Sequence, residues 1–213
     1  MPATRIAKDE WDVEQRLAEF GTNKAEMLDI AQRAVAARAD STEDDPLAGP
    51  GLLSWIFGTR ALRKTFRAKG WKRNSADNIP SVVNRATGIK LIFQNADSAC
   101  DVLRDPKAIS DKKKASERLV AAAQMAFDFP EAEQNGEEFA DVPGTAYYYF
   151  VAVREDGTVT AELSSPRAIE GGQFSGFHER IFIVNPGDID RVEIFDDSGD
   201  PPDLDFDVIV TSK

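Results

Sequence analysis

The chain has 213 residues, 42% apolar and 30% charged, with a formal net charge of −11. That length buries a real core, and those proportions exclude a disordered chain. No window approaches the ~18 apolar residues of a membrane span. The first twelve residues hold no apolar segment of secretory type, and the lone Cys100 has no internal partner for a disulfide. A cytoplasmic protein with no membrane contact is therefore expected.

In chain order, a first helix is expected after Asp9 or Asp12, with Trp11, Leu17 and Phe20 as its apolar positions and Gly21 as its stop. Asn23 then caps a second helix, with Glu26 at the reciprocal position and Met27, Ile30, Ala31, Ala34 and Val35 at helical spacing. These two helices form an expected N-terminal hairpin, residues 1–44, ahead of an α+β body, residues 45–213. Ala39 to Gly51 reads as a loop. Leu52 to Arg67 reads as a third helix: Arg60, Arg63, Lys64 and Arg67 share one face, and Trp55, Ala61, Leu62, Thr65 and Phe66 the other. Gly70 ends it.

Asp77 to Asp97 reads as extended, with Ile89 to Phe93 its clearest strand. Lys112 to Lys114 is a second basic cluster, and a fourth helix is expected over Ala115 to Phe127. Asp128 to Gly144 reads as a connection and a sub-boundary of the body. Tyr147 to Arg154 is apolar on both faces, as a central strand should be. Asp156-Gly157 signals a hairpin, and the alternation of Val159, Ala161 and Leu163 with Thr160 and Glu162 gives its partner one wet face. Ser165 to Gly176 reads as a loop, followed by strands at Arg180 to Val184, Val192 to Phe195 and Leu204 to Val210. Helices first and strands last predict an α+β fold, with N-terminal helices packed on a mainly antiparallel C-terminal sheet.

Charge is unevenly distributed. Pro46 to Ala76 contains no acidic residue and concentrates Arg60, Arg63, Lys64, Arg67, Lys69, Lys72 and Arg73. Asp188 to Asp207 is relieved only by Arg191. A cationic helix face followed by Trp71 has the residues to contact phosphates and stack on a base. The plainer alternative pairs that face with the acidic C-terminal run of the same chain.

Catalytic signals are thin. His178, the only histidine, precedes Glu179, and with Glu162 it offers a general base beside carboxylates. A Cys100–His178 pair is a further option, against a structural role for each. One histidine cannot build a histidine metal site, and Asp196 to Asp207 does not follow the EF-hand spacing. Gly171-Gly172 and Gly176 match neither nucleotide fingerprint. No cofactor and no metal are expected.

The segments Gly70-Trp71-Lys72, Asn78 to Asn84, Gly88 to Lys90, Asn95 to Asp97 and Ala115 to Arg118, and later Ala161 to Ser164, Gly171 to Phe174 and Glu179 to Ile181, resemble uncharacterised proteins of bacterial mobile elements, prophages and plasmids. The resemblance covers about residues 45–185 and implies a mobile-element context but no activity. The expected function is non-enzymatic: an interaction protein that binds a host or defence macromolecule through a charged surface. A protein partner is expected. Nucleic acid held by residues 52–73 is one alternative, and an enzyme centred on His178 and Glu179 is another. Nothing in the sequence sets an oligomeric state.

Overall fold

The computed structural model describes residues 3–110, 112, 116–121 and 145–191. Among the described residues, three long helices, α1 (Glu10–Glu19), α2 (Lys24–Ala39) and α3 (Gly49–Ala68), accompany seven strands. The strands are β1 (Arg5–Ala7), β2 (Lys72–Asn74), β3 (Ser81–Val83), β4 (Lys90–Ala96), β5 (Ala146–Val153), β6 (Val159–Glu170) and β7 (Gln173–Val184). They form one sheet in the order β1-β7-β6-β5-β4-β3-β2. The class is α+β, but the sheet is mixed rather than mainly antiparallel. β4 runs parallel to β5 at its centre, and β1 runs parallel to β7 at one edge. The long segment 97–145 between β4 and β5 permits the first parallel pairing, which no hairpin could make.

Period-two alternation sends β4 and β5 side chains to two faces, and both are covered. One face carries Leu91, Phe93, Tyr147, Tyr149, Val151, Leu163 and Ile181, packed with Val13, Leu17, Met27, Ile30, Leu62 and Phe66 of the helices. The Tyr149 hydroxyl donates to the Met27 carbonyl (2.7 Å), so this polar group is satisfied inside that layer. The other face carries Ile92, Tyr148, Phe150 and Ala152 under Ala99, Ala108, Leu119, Val120 and Phe174. Residues 116–121 are helical. The remainder of the expected fourth helix, the connection 128–144 and the strands expected at 192–195 and 204–210 lie outside the described residues.

Two details of the hairpin β6–β7 differ from expectation. Its β6 strand has no wet face: Thr160, Glu162 and Ser164 are all buried, because the segment after β4 folds over them. Ser165 to Gly176 is not a loop but the far end of the hairpin. Only Gly171 and Gly172 turn, both at positive φ (58° and 79°) that glycine adopts without strain. The Asn23 side chain does cap α2, accepting from the Glu26 N–H at 2.9 Å. The Glu26 carboxylate turns instead to the Thr22 hydroxyl and to Lys69. Trp11, expected inward, is 71% exposed.

Candidate functional site

The sequence around α3 dictates its amphipathic character. Gly49 and Pro50 open the helix, where a missing proline N–H costs nothing. Ser54, Gly58, Ala61, Leu62 and Phe66 then recur at helical spacing and are buried. Gly58 lets the helix approach β4 closely: a Cβ there would stand 2.3 Å from the Phe93 ring. Pinning this face to the sheet forces the opposite one outward.

The outward face carries Phe57, Arg60, Lys64 and Arg67, all exposed. Their i, i+3, i+7 and i+10 spacing makes one stripe. The Arg60 guanidinium lies over the Phe57 ring, 4.5 Å from its centroid, a cation–π contact that orders both groups. Lys72 and Arg73 are exposed on β2, the edge strand beside α3. Among the described residues, Lys64, Arg67, Lys72 and Arg73 make no ion pair.

Arg63 turns the other way. It donates to the Asn74 carbonyl (2.6 Å), the Ser81 carbonyl (3.3 Å) and the Ser75 hydroxyl (2.9 Å), tying α3 to the β2–β3 turn. Burial, and then the neighbouring charge of Arg73, pull its guanidinium below the usual range. The Arg63 bond to the Asn74 carbonyl holds its guanidinium beside the residue that follows Arg73. Lys69 pairs with Glu26 at 2.8 Å. Trp71 cannot stack on a base: it is 6% exposed and packs edge-on against Phe66, centroids 4.9 Å apart. The indole continues the apolar face of α3 past Gly70, so the core claims it. The exposed ring of the cationic face is Phe57, in line with Arg60 by helical spacing, a signal present in the sequence but outweighed there by the more conspicuous tryptophan. The acidic run from residue 192 onward lies outside the described residues. Asp188, at its start, pairs with Lys24 of α2 (3.1 Å).

The structure separates the two carboxylates of the expected catalytic group. Glu162 and Glu179 lie on opposite faces of the sheet, each held by an arginine. Glu162, fully buried, accepts twice from Arg180 (2.8 Å each), from the Cys100 N–H (2.6 Å) and from the Ser164 hydroxyl (2.8 Å). Glu179 on the helical face accepts from Arg16 (2.9 Å) and from the Tyr147 hydroxyl (2.8 Å). Charges so paired are structural, since burying either one alone would be prohibitive. His178 is half-buried where the β6–β7 pairing steps from Phe177 to Glu179 and skips it. Cys100, at φ 58°, directs its thiol to the Ala161 and Val184 carbonyls (3.2 and 3.3 Å) rather than to a histidine. Burial, and then Glu162, push that thiol well above its usual range, the reverse of what a nucleophile needs.

Among the described residues, no group of three or more His, Cys, Asp or Glu is placed to hold a metal ion, and no helix is long and apolar enough to cross a membrane. The fold and this surface together define an α+β protein with a cationic edge. No family model, curated protein or solved structure matches the chain.

Proposed function

We propose that the protein is a non-enzymatic binding protein that holds single-stranded nucleic acid against α3 and β2. The observation that carries this reading is the exposed stripe Phe57–Arg60–Lys64–Arg67, flanked by Lys72 and Arg73. Cations on a rigid helix neutralise successive phosphates, and an exposed ring stacks on a base without regard to sequence. A duplex offers no unstacked base to Phe57, which favours the single strand. The resemblance to proteins of phages and plasmids supplies a context in which single strands are common partners.

The test is fluorescence anisotropy with a labelled oligodeoxythymidine, comparing the wild type with Arg60→Glu/Lys64→Glu/Arg67→Glu. All three side chains are exposed, so the variant keeps the fold. The expected result is saturable binding that weakens at least tenfold in the variant. Equal binding by both proteins overturns the reading. So does capture of one discrete protein from bacterial lysate by wild type and variant alike, with or without nuclease.

A further inference from the structure

β3 pairs with β4 only from Lys90 to Ile92. One step further would set Pro80 against Phe93, and proline has no N–H to continue the ladder. Beyond the gap, the same edge of β4 is taken up by residues 107–109. Ala108 bridges Ala96, the Ile109 N–H donates to the Asn95 carbonyl (3.3 Å), and the Asp97 N–H donates to the Lys107 carbonyl (3.0 Å). A cavity of about 740 Å³ opens between the two partners, floored by Phe93 and Gln94. It lies toward the carboxyl ends of the parallel strands β4 and β5, where open sheets with parallel strands commonly bind ligands.

The wall has a definite chemistry. The first turns of α3 form one side through Gly51, Leu52, Ser54 and Trp55. Asn95 fixes them there, donating to the Gly51 carbonyl (2.7 Å) and accepting from the Ser54 hydroxyl (2.9 Å). That helix end carries partial positive charge, and its first turn contains no acid. Lys107 adds an exposed cation, and Arg38 and Lys112 further positive charge, the Lys112 ammonium donating to the Gln94 amide oxygen. Among the described lining residues Asp97 is the single acid, and Arg104 already neutralises it at 2.6 Å. Behind Gln94, Tyr148 holds a buried hydroxyl with no hydrogen-bond partner among the described residues, a state that costs about 1–3 kcal/mol. At the mouth, Leu47, Trp55 and Ile109 are large apolar side chains left exposed.

We infer that this cavity binds a small phosphorylated molecule with a planar, hydrogen-bonding ring, of which a nucleoside monophosphate is the simplest. The phosphate sits toward Lys107 and the α3 terminus, and the ring stacks on Trp55 beside the Asn78 amide. This site is separate from the cationic stripe farther along α3.

Isothermal titration calorimetry with AMP, GMP, CMP and UMP tests it, with adenosine and inorganic phosphate as partial ligands. At least one monophosphate should bind saturably at one site per chain, and each partial ligand at least tenfold more weakly. Leu52→Trp, which fills the cavity, and Lys107→Glu should each weaken binding at least fivefold, while Lys64→Glu/Arg67→Glu changes it less than twofold. Lys107 is exposed, so its variant remains informative if Leu52→Trp does not fold. Absence of saturable heat with all four monophosphates overturns the inference. So does binding that Lys107→Glu leaves intact and Lys64→Glu/Arg67→Glu abolishes, which places the phosphate on the stripe.

Discussion

At the scale of single residues, Glu162 and Arg180 decide how the second face of the sheet closes. Arg180 is 1% exposed and Glu162 fully buried. Glu162 is tolerable only because Arg180, the Cys100 amide and Ser164 donate to it, and Arg180 only because Glu162 and Asp105 accept from it. Arg180→Met leaves a carboxylate without its counter-charge and should destabilise the fold by about 3–5 kcal/mol in urea unfolding. Glu162→Leu/Arg180→Met should recover most of that loss, because a buried pair is often no better than apolar packing. A double variant as unstable as the single one would show that the network, and not the charge, is what stabilises. Glu26 offers a milder case with a pH signature. The Lys69 ammonium holds its carboxyl below the usual range against partial burial, with help from the Thr22 hydroxyl. A lowered carboxylate stabilises the fold above its unfolded pKa of about 4.3, and that contribution fades as pH falls through the lowered value. Glu26→Gln should therefore cost about 0.2–1 kcal/mol at pH 7, as a partly exposed pair does. The two urea midpoints should converge near pH 3. A gap that persists in acid would assign the effect to packing. Neither role was legible in the sequence. Glu162 alternates with apolar neighbours as a solvent-facing residue does, and its cover arrives from Cys100, far away in the chain.

At the scale of elements, the helices were legible and the sheet only in part, for a physical reason. Helical spacing, the Asn23 cap and the stop at Gly70 (φ 89°) are local signals, and α2 and α3 follow them. Strand direction and the cover of each face are set by partners distant in sequence. The parallel pairing of β4 with β5, the edge strand β1 and the burial of Thr160 therefore left no local trace. Gly58 shows how far such a trace can mislead. In isolation it weakens α3 by about 1 kcal/mol relative to alanine. In the fold, two Phe93 ring carbons, Cε2 and Cζ, stand 2.3 Å from where its Cβ would lie. Gly58→Ala should thus destabilise by about 1–3 kcal/mol despite its better helix propensity. Phe93→Leu in the Gly58→Ala background should restore part of the loss, giving a coupling energy above about 0.5 kcal/mol in a double-mutant cycle. Additive effects would mean that α3 shifts to make room, and that its height above β4 is not fixed by this contact.

At the scale of the whole molecule, the question is how a chain of net charge −11 would hold a polyanion. The long-range field of an acidic protein slows the approach of nucleic acid. Close to the surface the field is local. Between Pro46 and Ala76 no acid opposes the seven cations, and only Lys69 among them is paired with a carboxylate in the described structure. Arg63 spends its donors on the β2–β3 turn, which leaves Arg60, Lys64, Arg67, Lys72 and Arg73 for phosphates. Neutralising about five phosphates of a single strand gives a slope of about −3.5 for log affinity against log salt. Lys72→Gln/Arg73→Gln should lower the magnitude of that slope by about 1.4, and Phe57→Ala should weaken binding by about 1–3 kcal/mol with the slope unchanged. The two variants thus separate charge from stacking on the same face. A Phe57→Ala variant that binds as the wild type does would remove the reason to prefer a single strand. A slope that Lys72→Gln/Arg73→Gln leaves untouched would confine the contact to α3, and would return β2 to the ordinary work of lysine and arginine on a sheet edge, which is to keep other strands from pairing there.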